Sequence, residues 1–170
     1  MPSTGPDRQN VQIGLGLGSN IGDKPGNILR ALALLDARGA VVVSAVSSIY
    51  RTAPWGYLDQ EDFANACALA TTNCDPAQLL AEVKAVEAEM GRKDGVRWGP
   101  RLIDIDILFF GDKIWTTSDL VLPHKDLFNR AFVLVPLAEI APHLRLGGRE
   151  IGEAAAGVSG GVEKWPSAQG

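Results

Sequence analysis

The sequence predicts an α+β fold, a ferredoxin-like sandwich in which a mostly antiparallel sheet carries helices on one face and an active site on the other. Apolar residues alternate with period two in several segments and recur at helical spacing in two others. These segments follow one another as β-α-β-β-α-β, which is the order of a ferredoxin-like sandwich. The chain has 170 residues, enough for one domain with a substantial core.

Composition is that of a globular chain with a slight acidic excess. Hydrophobic residues make up 46% of the sequence and the net charge is −4. This charge argues against nucleic acid or an anionic membrane as a partner. Cys67 and Cys74 lack the spacing of a metal site, so we expect reduced thiols. No signal-peptide pattern opens the chain, and no run reaches the ~18 apolar residues of a membrane helix. We therefore expect a cytoplasmic protein without nucleic-acid or membrane partners, and a monomer.

The first strand is predicted from Val11 to Gly18, where apolar residues alternate with glycines. Its second face carries almost no side chain, which leaves room for a ligand or for a closely packed backbone. The glycine spacing lacks the third glycine of a dinucleotide-binding turn, and no GK[ST] follows for a phosphate-binding loop. Residues 1–10 are expected to be a disordered lead-in, 11–157 a single domain and 158–170 a loose tail.

Two helices and two further strands follow from the same patterns. The first helix has apolar residues at helical spacing and ends near Gly39. The second begins with Asp75 as N-cap and Gln78 as its capping-box partner. Their predicted buried residues are Ile28, Ala31, Leu32 and Leu35, then Leu79, Val83, Val86 and Met90. Residues 41–52 read as one long strand and 63–71 as another, whereas Pro136 interrupts an apolar segment from Phe128 to Ala141.

A strand from Leu102 to Phe110 contains two aspartates in an otherwise apolar run. Because successive side chains alternate, Ile103, Ile105, Ile107 and Phe109 are expected on one face. Asp104 and Asp106 share the other face, with Cα atoms roughly 6.6 Å apart. Like charges this close are tolerated where a cation compensates them, and Mg²⁺ is typically held by one or two carboxylates plus substrate phosphates.

A basic segment precedes this strand, with Trp98 among the cations Arg92, Lys93, Arg97 and Arg101. A cationic loop followed by paired acids on a rigid strand indicates a Mg²⁺-nucleotide site. The alternative is a solvated strand face with a local salt bridge to Arg101, since structural charge networks show the same pattern.

Five segments carry a resemblance to a known family. They are Leu17-Gly18-Ser19-Asn20, Ser48-Ile49-Tyr50-Arg51-Thr52, Phe63-Ala64-Asn65-Ala66, residues 97–111, and Pro123-His124 through Asn129-Arg130-Ala131-Phe132. In this order they resemble the 6-hydroxymethyl-7,8-dihydropterin pyrophosphokinases of folate biosynthesis, over roughly residues 11–145. The resemblance implies an enzyme that transfers the diphosphate of ATP to the hydroxymethyl group of the pterin and releases AMP.

The resemblance also implies roles for individual residues. Asp104 and Asp106 would hold two Mg²⁺ ions, and with Arg92 and Arg101 they would be the catalytic residues. The residues implied in ATP binding are Lys84, Glu87, Arg92, Trp98, Arg101, Ile107, His124 and Arg130. The residues implied in pterin binding are Thr52, Ala53, Trp55, Phe63, Asn65, Asp104 and Phe132.

Two other functions are compatible with parts of the sequence. A different Mg²⁺-dependent kinase or nucleotidyltransferase would use the two-aspartate strand, but it would leave Phe63, Asn65 and Phe132 without a role. A non-catalytic ferredoxin-like binding module would leave the aspartate pair unexplained. Absence of Mg²⁺-dependent ATP binding would indicate the non-catalytic module. Formation of ADP instead of AMP would indicate an ordinary kinase.

Overall fold

The computed structural model describes residues 10–52, 62–91, 102–158 and 161–165. Its strands and helices lie in the following order along the chain: β1 (Val11–Ser19), α1 (Lys24–Ala37), β2 (Val42–Val46), β3 (Tyr50–Thr52), β4 (Phe63–Thr72), α2 (Pro76–Glu89), β5 (Asp104–Phe110), β6 (Trp115–Thr116), β7 (Val121–Leu122), α3 (Ala131–Ile140), β8 (Arg145–Leu146), β9 (Arg149–Glu150), α4 (Ile151–Ala156) and β10 (Glu163–Lys164). A 3₁₀ turn, Leu127–Asn129, precedes α3.

Among the residues that the structure describes, a six-stranded sheet, whose strands differ in length, forms the centre of the domain. Its strand order is β10-β3-β4-β1-β5, and β2 also pairs with β4. Every pairing among the described strands of this sheet is antiparallel, as predicted. The central strand β1 lies between β4 and β5 along most of its length.

The long strand predicted over residues 41–52 is divided into β2 and β3. At Ser47 the backbone amide still donates a 2.9 Å bond to the Cys67 carbonyl, but the return bond from the Cys67 amide goes to Ser47 Oγ (2.9 Å), which donates in turn to the Ser48 carbonyl (2.7 Å). Local side-chain bonding of this kind competes with a regular ladder. The chain therefore leaves the sheet after Val46 and returns at Tyr50.

Helices α1 and α2 pack on the first face of the sheet. The capping box of α2 is present as predicted, since the Gln78 amide donates to the Asp75 carboxylate and the Gln78 side chain accepts from the Asp75 amide. The predicted apolar stripes of both helices are buried in one core with the inward side chains of β1, β4 and β5. This arrangement confirms the helix–sheet packing expected from the two periodicities.

The second face is also partly covered by helices, which the sequence interpretation did not expect. Helices α3 and α4 form a second core with Cys67, Leu69 and Leu108 of the sheet. Pro136 lies inside α3 without ending it. The apolar content of α3 explains its position, because a helix this hydrophobic needs burial and the remaining apolar surface of the sheet is on this face.

Phe109 was predicted on the same face as Ile103, Ile105 and Ile107, and this prediction is wrong. The register of β5 against β1 shifts between Gly14 and Leu15, so that Leu15 pairs with Ile107 but Gly14 pairs with Phe109. The extra residue reverses the alternation after Ile107. Leu108 and Phe109 consequently belong to the second core, while Phe110 belongs to the first.

The C-terminal region, expected to be a loose tail, contributes β10 to the main sheet. Glu163 and Lys164 pair with Arg51 and Tyr50, and the Trp165 amide donates a 2.8 Å hydrogen bond to the Ile49 carbonyl. The Trp165 ring also lies against two cations, with Lys24 Nζ 5.6 Å and Arg51 Cζ 5.9 Å from the ring. The edge of the sheet beside β3 is therefore paired.

None of the helices in the described part of the chain is long and apolar enough to cross a membrane.

Gly14 allows the Phe109 ring to lie directly on β1, since a Cβ at this position would overlap the ring. We expect Gly14→Ala to lower the free energy of unfolding by about 1–3 kcal/mol through overpacking. Urea denaturation at equilibrium measures the change. Gly157→Ala is the matched control, because its Cβ would meet only Ala154 O at an ordinary 3.7 Å. Equal stability of Gly14→Ala and wild type would contradict the close packing.

Candidate active site

The two aspartates of β5 lie on the second face of the sheet. Asp104 and Asp106 are partly exposed, whereas Ile103, Ile105 and Ile107 between and beside them are buried. The strand geometry predicted for the carboxylate pair is therefore present. Two carboxylates on one rigid strand suit a hard divalent cation that is also coordinated by substrate phosphates. Among the described residues there is no group of three or more His, Cys, Asp or Glu side chains that could hold a metal ion.

Glycines of β1 separate the aspartates from the polar residues of β4. Gly18 pairs with Asn65 on one side and Asp104 on the other, and Gly16 pairs with Cys67 and Asp106 in the same way. Asn65 and Asp104 are thus two strand spacings apart, or about 10 Å. Because Gly18 has no side chain, nothing from β1 stands between them.

Asn65 is held in one orientation. Its Nδ2 donates a 2.7 Å hydrogen bond to Thr52 Oγ1, and its side chain lies so close to Gly18 that a Cβ there would be 2.9 Å from Oδ1. Phe63 pairs with Thr52 across the strands, so these three residues lie on one face. Asn65 is 6% exposed, whereas Phe63 is only partly buried. The arrangement offers an oriented amide beside an aromatic ring.

Arg130 supplies positive charge to the carboxylate side. Its Nη1 lies 3.8 Å from Asp106 Oδ2, and its Nη2 lies 3.4 Å from Asp126 Oδ2. Its guanidinium carbon is 5.6 Å from the Phe132 ring. These side chains remain partly exposed, so the charges can still meet a ligand. Asp126 was not predicted; its i,i+4 spacing from Arg130 is the signal that could have identified it.

His124 is attached to β5 through its backbone and to Asp126 through its ring. Its amide donates a 2.8 Å hydrogen bond to the Leu108 carbonyl, and its Nδ1 accepts a 3.1 Å bond from the Asp126 amide. Burial lowers the pKa of His124, and the Arg130 charge lowers it further, against the opposing effect of Asp106. The neutral ring therefore has Nδ1 as acceptor and Nε2–H as its remaining donor.

Other predicted nucleotide contacts lie elsewhere. Glu87 is 4% exposed, and its Oε2 accepts a 2.9 Å hydrogen bond from the Ile105 amide, between the two aspartates. Lys84 is exposed on α2, and the Ile107 side chain is buried in the first core. The structure thus does not bring the side chains of Lys84, Glu87 and Ile107 to the second face with the aspartates. Glu87 instead supports the strand that carries them.

Five predicted site residues lie outside the described residues: Ala53, Trp55, Arg92, Trp98 and Arg101. Their roles stay predictions.

Burial of His124 leads to a prediction for its titration. Without Mg²⁺, the imidazole should titrate below 6.5, and Asp106→Asn should lower its pKa further, because the Asp106 carboxylate favours the charged ring. NMR titration of the imidazole protons measures both values, and His143→Gln assigns the signals of the 2 histidines. Since the unfolded chain would bind this proton more tightly, His124 should reduce stability as the pH falls below 6.5. A pKa at or above 6.5, or one insensitive to Asp106→Asn, would contradict this account.

Comparison with known proteins gives a consistent result. The family model described as 7,8-dihydro-6-hydroxymethylpterin-pyrophosphokinase (HPPK) matches residues 14–142. A 2-amino-4-hydroxy-6-hydroxymethyldihydropteridine pyrophosphokinase from Methylorubrum extorquens is 47% identical over 151 residues, covering 88% of this chain and 96% of the relative. The protein with the same name from Bacillus subtilis is 47% identical over 126 residues, covering 74% and 75% of the two chains.

Solved structures share the fold. Wild-type Plasmodium falciparum HPPK-DHPS with pteroate superposes with a TM-score of 0.72 at 16% identity, over 91% of this chain and 43% of that chain. The chain therefore spans less than half of that larger protein. With a matching family model over most of its length and relatives of nearly half-identical sequence, the chain belongs to the 7,8-dihydro-6-hydroxymethylpterin-pyrophosphokinase family.

Proposed function

We propose that this protein transfers the diphosphate group of ATP to the hydroxymethyl oxygen of 6-hydroxymethyl-7,8-dihydropterin, giving the pterin diphosphate and AMP for folate biosynthesis. The observation that carries the proposal is the row Asn65–Gly18–Asp104 across the sheet. It sets the backbones of Asn65 and Asp104 about 10 Å apart, with the oriented amide and the carboxylate pair on one face, and a pterin ring with its hydroxymethyl group and the attacked phosphate can span such a separation. Membership of the family supports the same reaction.

The pterin would occupy the β3–β4 side of the face. Asn65, oriented by Thr52, would hydrogen-bond the polar edge of the ring, and Phe63 and Phe132 would stack on its two sides. Ala53 and Trp55 would contribute from the segment that follows Thr52. Asp104 lies across Gly18 and would face the hydroxymethyl end. This assignment gives the aromatic and amide residues a purpose that an ordinary kinase would not.

The triphosphate would occupy the β5 side. Asp104 and Asp106 would hold Mg²⁺, two ions in the full complex, and bound Mg²⁺ would supply positive charge to the phosphate oxygens. Their carboxylate oxygens fit this role because they are hard, partly exposed ligands. Arg130 would contact phosphate while Asp126 holds its other nitrogen, and neutral His124 would donate from Nε2. Arg92 and Arg101 would stabilise the charge on the departing AMP, and Trp98 would complete the nucleotide site, while Glu87 would act only through its bond to the Ile105 amide.

Such a reaction depends mostly on positioning and charge stabilisation. The hydroxymethyl oxygen attacks the β-phosphorus in line, the bond from that phosphorus to the α–β bridging oxygen breaks, and AMP leaves with that oxygen. The chain's contribution is to hold the pterin from one side of Gly18 and the diphosphate from the other. A rigid central strand with no side chain at Gly18 meets this need.

The sheet order β3/β2-β4-β1-β5, with α1 and α2 on the first face, supports a ferredoxin-like assignment extended by α3 and α4 on the second face. We also propose that the protein acts as a cytoplasmic monomer on small-molecule substrates. Size-exclusion chromatography with light scattering would test the monomer directly.

The adenine product tests the proposed function. We expect protein, ATP, Mg²⁺ and 6-hydroxymethyl-7,8-dihydropterin to yield AMP, and omission of the pterin to abolish it. Chromatographic separation of AMP from ADP measures the outcome. Pterin-dependent ADP would identify a monophosphoryl kinase, and no turnover with Mg²⁺-dependent ATP binding would indicate a different acceptor. Neither turnover nor ATP binding would favour a non-catalytic module.

Asp106→Ala tests the carboxylate pair. We expect turnover to fall by at least ~100-fold, because charge stabilisation at the transferred group would be lost. The fold should persist, since Asp106 is a partly exposed residue. Steady-state kinetics and circular dichroism measure the two effects. Asp112→Ala, which removes an exposed carboxylate in the turn after β5, should retain full activity. Near-normal turnover of Asp106→Ala would remove it from the metal site.

A further inference from the structure

A cluster of hydrogen bonds joins the end of α3 to the β3 segment, away from the reacting groups. Glu139 Oε1 accepts a 2.7 Å bond from the Tyr50 hydroxyl and a 2.9 Å bond from the Ser48 amide, while Oε2 accepts a 2.8 Å bond from Ser48 Oγ. Tyr50 is 6% exposed, so its hydroxyl depends on this partner. One carboxylate thus receives three hydrogen bonds from two residues, Tyr50 of β3 and Ser48 just before it.

The titration of the pair is consistent with these bonds. Burial, together with the hydrogen bond to Glu139, raises the pKa of Tyr50, which keeps its hydroxyl a donor. Glu139 is an exposed residue; its slight desolvation raises its pKa, but the donors from Tyr50 and Ser48 outweigh this effect, so the pKa is lowered. Lys164 of β10 adds to this lowering, and it pairs with Tyr50 across the strands. Glu139 therefore stays ionised, and charge-assisted bonds of this kind are among the stronger ones.

Glu139 and Tyr50 each share a face of their helix or strand with residues predicted to bind the pterin. Glu139 follows Phe132 by seven residues, so the two side chains lie on the same face of α3, two turns apart. Tyr50 pairs with Asn65 and is two residues from Thr52, so these three share the second face of the sheet. The hydrogen bond between Tyr50 and Glu139 therefore connects the strand that carries Thr52 to the helix that carries Phe132, on either side of the proposed pterin site.

The start of α3 is attached separately. The buried Cys67 thiol lies 3.5 Å from the Val133 carbonyl as a weak donor, and Val133 and Leu134 are in the second core. Together these contacts hold the first turns of the helix on β4. Glu139, in the last turn, adds a polar contact that opposes rotation of the helix about its axis, at a site away from the reacting groups.

We propose that Glu139, with Tyr50 and Ser48, is a positioning residue that sets the direction in which α3 presents Phe132 to the pterin side of the face. The proposal rests on the function proposed above. It assigns the contact a larger effect on pterin affinity than on ATP affinity, because Arg130, although it caps α3 and lies beside Phe132, also has ion pairs to Asp106 and Asp126 that do not involve Glu139.

The test compares Glu139→Ala with Glu139→Gln. Glutamine can keep the bonds from Tyr50 and the Ser48 amide on its oxygen and donate to Ser48 Oγ from its nitrogen, so it should retain the position. Alanine cannot. We expect Glu139→Ala to raise KM for the pterin on the order of tenfold while changing KM for ATP by less than about twofold, and Glu139→Gln to stay within about threefold of wild type for both. Tyr50→Phe, which removes one bond, should fall between them.

Glu82→Ala is the matched control. It removes the carboxylate of the Arg38–Glu82 ion pair, 2.6 Å long, which joins α1 and α2 on the first face, and it should leave both KM values unchanged. Thermal unfolding of each variant establishes that it is folded at the assay temperature. If Glu139→Ala does not fold, Tyr50→Phe and Glu139→Gln give the same comparison, with Tyr50→Phe expected to raise only the pterin KM.

The outcomes separate the two proposals. A wild-type protein that forms no AMP from ATP and the pterin overturns the proposed function and this inference with it. An active wild type whose folded Glu139→Ala variant keeps its pterin KM overturns this inference alone. Equal increases in both KM values, or equal losses in Glu139→Ala and Glu139→Gln, would also overturn it, since they would indicate general destabilisation or a role of the charge itself.

Discussion

The central strand β1 has glycines at three successive positions, Gly14, Gly16 and Gly18, that face the second side of the sheet, and the packing of that side depends on them. Phe109 and Leu108 lie against Gly14 and Gly16, and the Asn65 amide lies against Gly18. The predicted free space is thus occupied mainly by side chains of the neighbouring strands, which approach β1 more closely than any side chain there would permit. This close approach sets Asn65 and Asp104 on either side of one bare position.

The charges on this face form a network whose members depend on one another. Asp106 lies beside Arg130, Arg130 beside Asp126, and the Asp126 amide donates to His124, which is bonded through its own backbone to β5. The loop that precedes α3 is therefore tied to the aspartate strand at two points. Such a network keeps the Arg130 guanidinium and the carboxylates of Asp106 and Asp126 partly exposed, while the half-buried imidazole of His124 has a lowered pKa, which favours its neutral form. A polyanionic ligand would meet positive charge whose geometry is already arranged.

Residues that do not line the site hold its strands in place. Glu87 bonds to the Ile105 amide, between the two aspartates, and so satisfies a backbone donor in the carboxylate strand. On the other side, the β3 segment carries Thr52 within the site and Tyr50 toward α3, so one short strand contributes both an orienting hydroxyl and an attachment for the helix. The pairing of β10 with β3 extends the sheet beside that strand. The Asn65 side and the aspartate side of this face are accordingly supported by different parts of the chain.

The sequence by itself determined what depends on local periodicity and chemical type: strands β1, β4 and β5, the two capped helices α1 and α2, and the alternation that exposes Asp104 and Asp106. Through the ordered motifs it also determined the family. It did not determine the bulge that moves Phe109 to the second core, the break of the 41–52 strand at Ser47, or the packing of α3 on the face of the aspartates. Nor did it indicate that Glu87 would face a backbone amide or that Glu139 would meet Tyr50. Some of these features join residues that are 18 to 91 positions apart in the sequence, and others depend on the register between neighbouring strands. The tertiary structure decides them, because the chain adopts the packing that buries the remaining apolar surface and satisfies the buried hydrogen-bond donors.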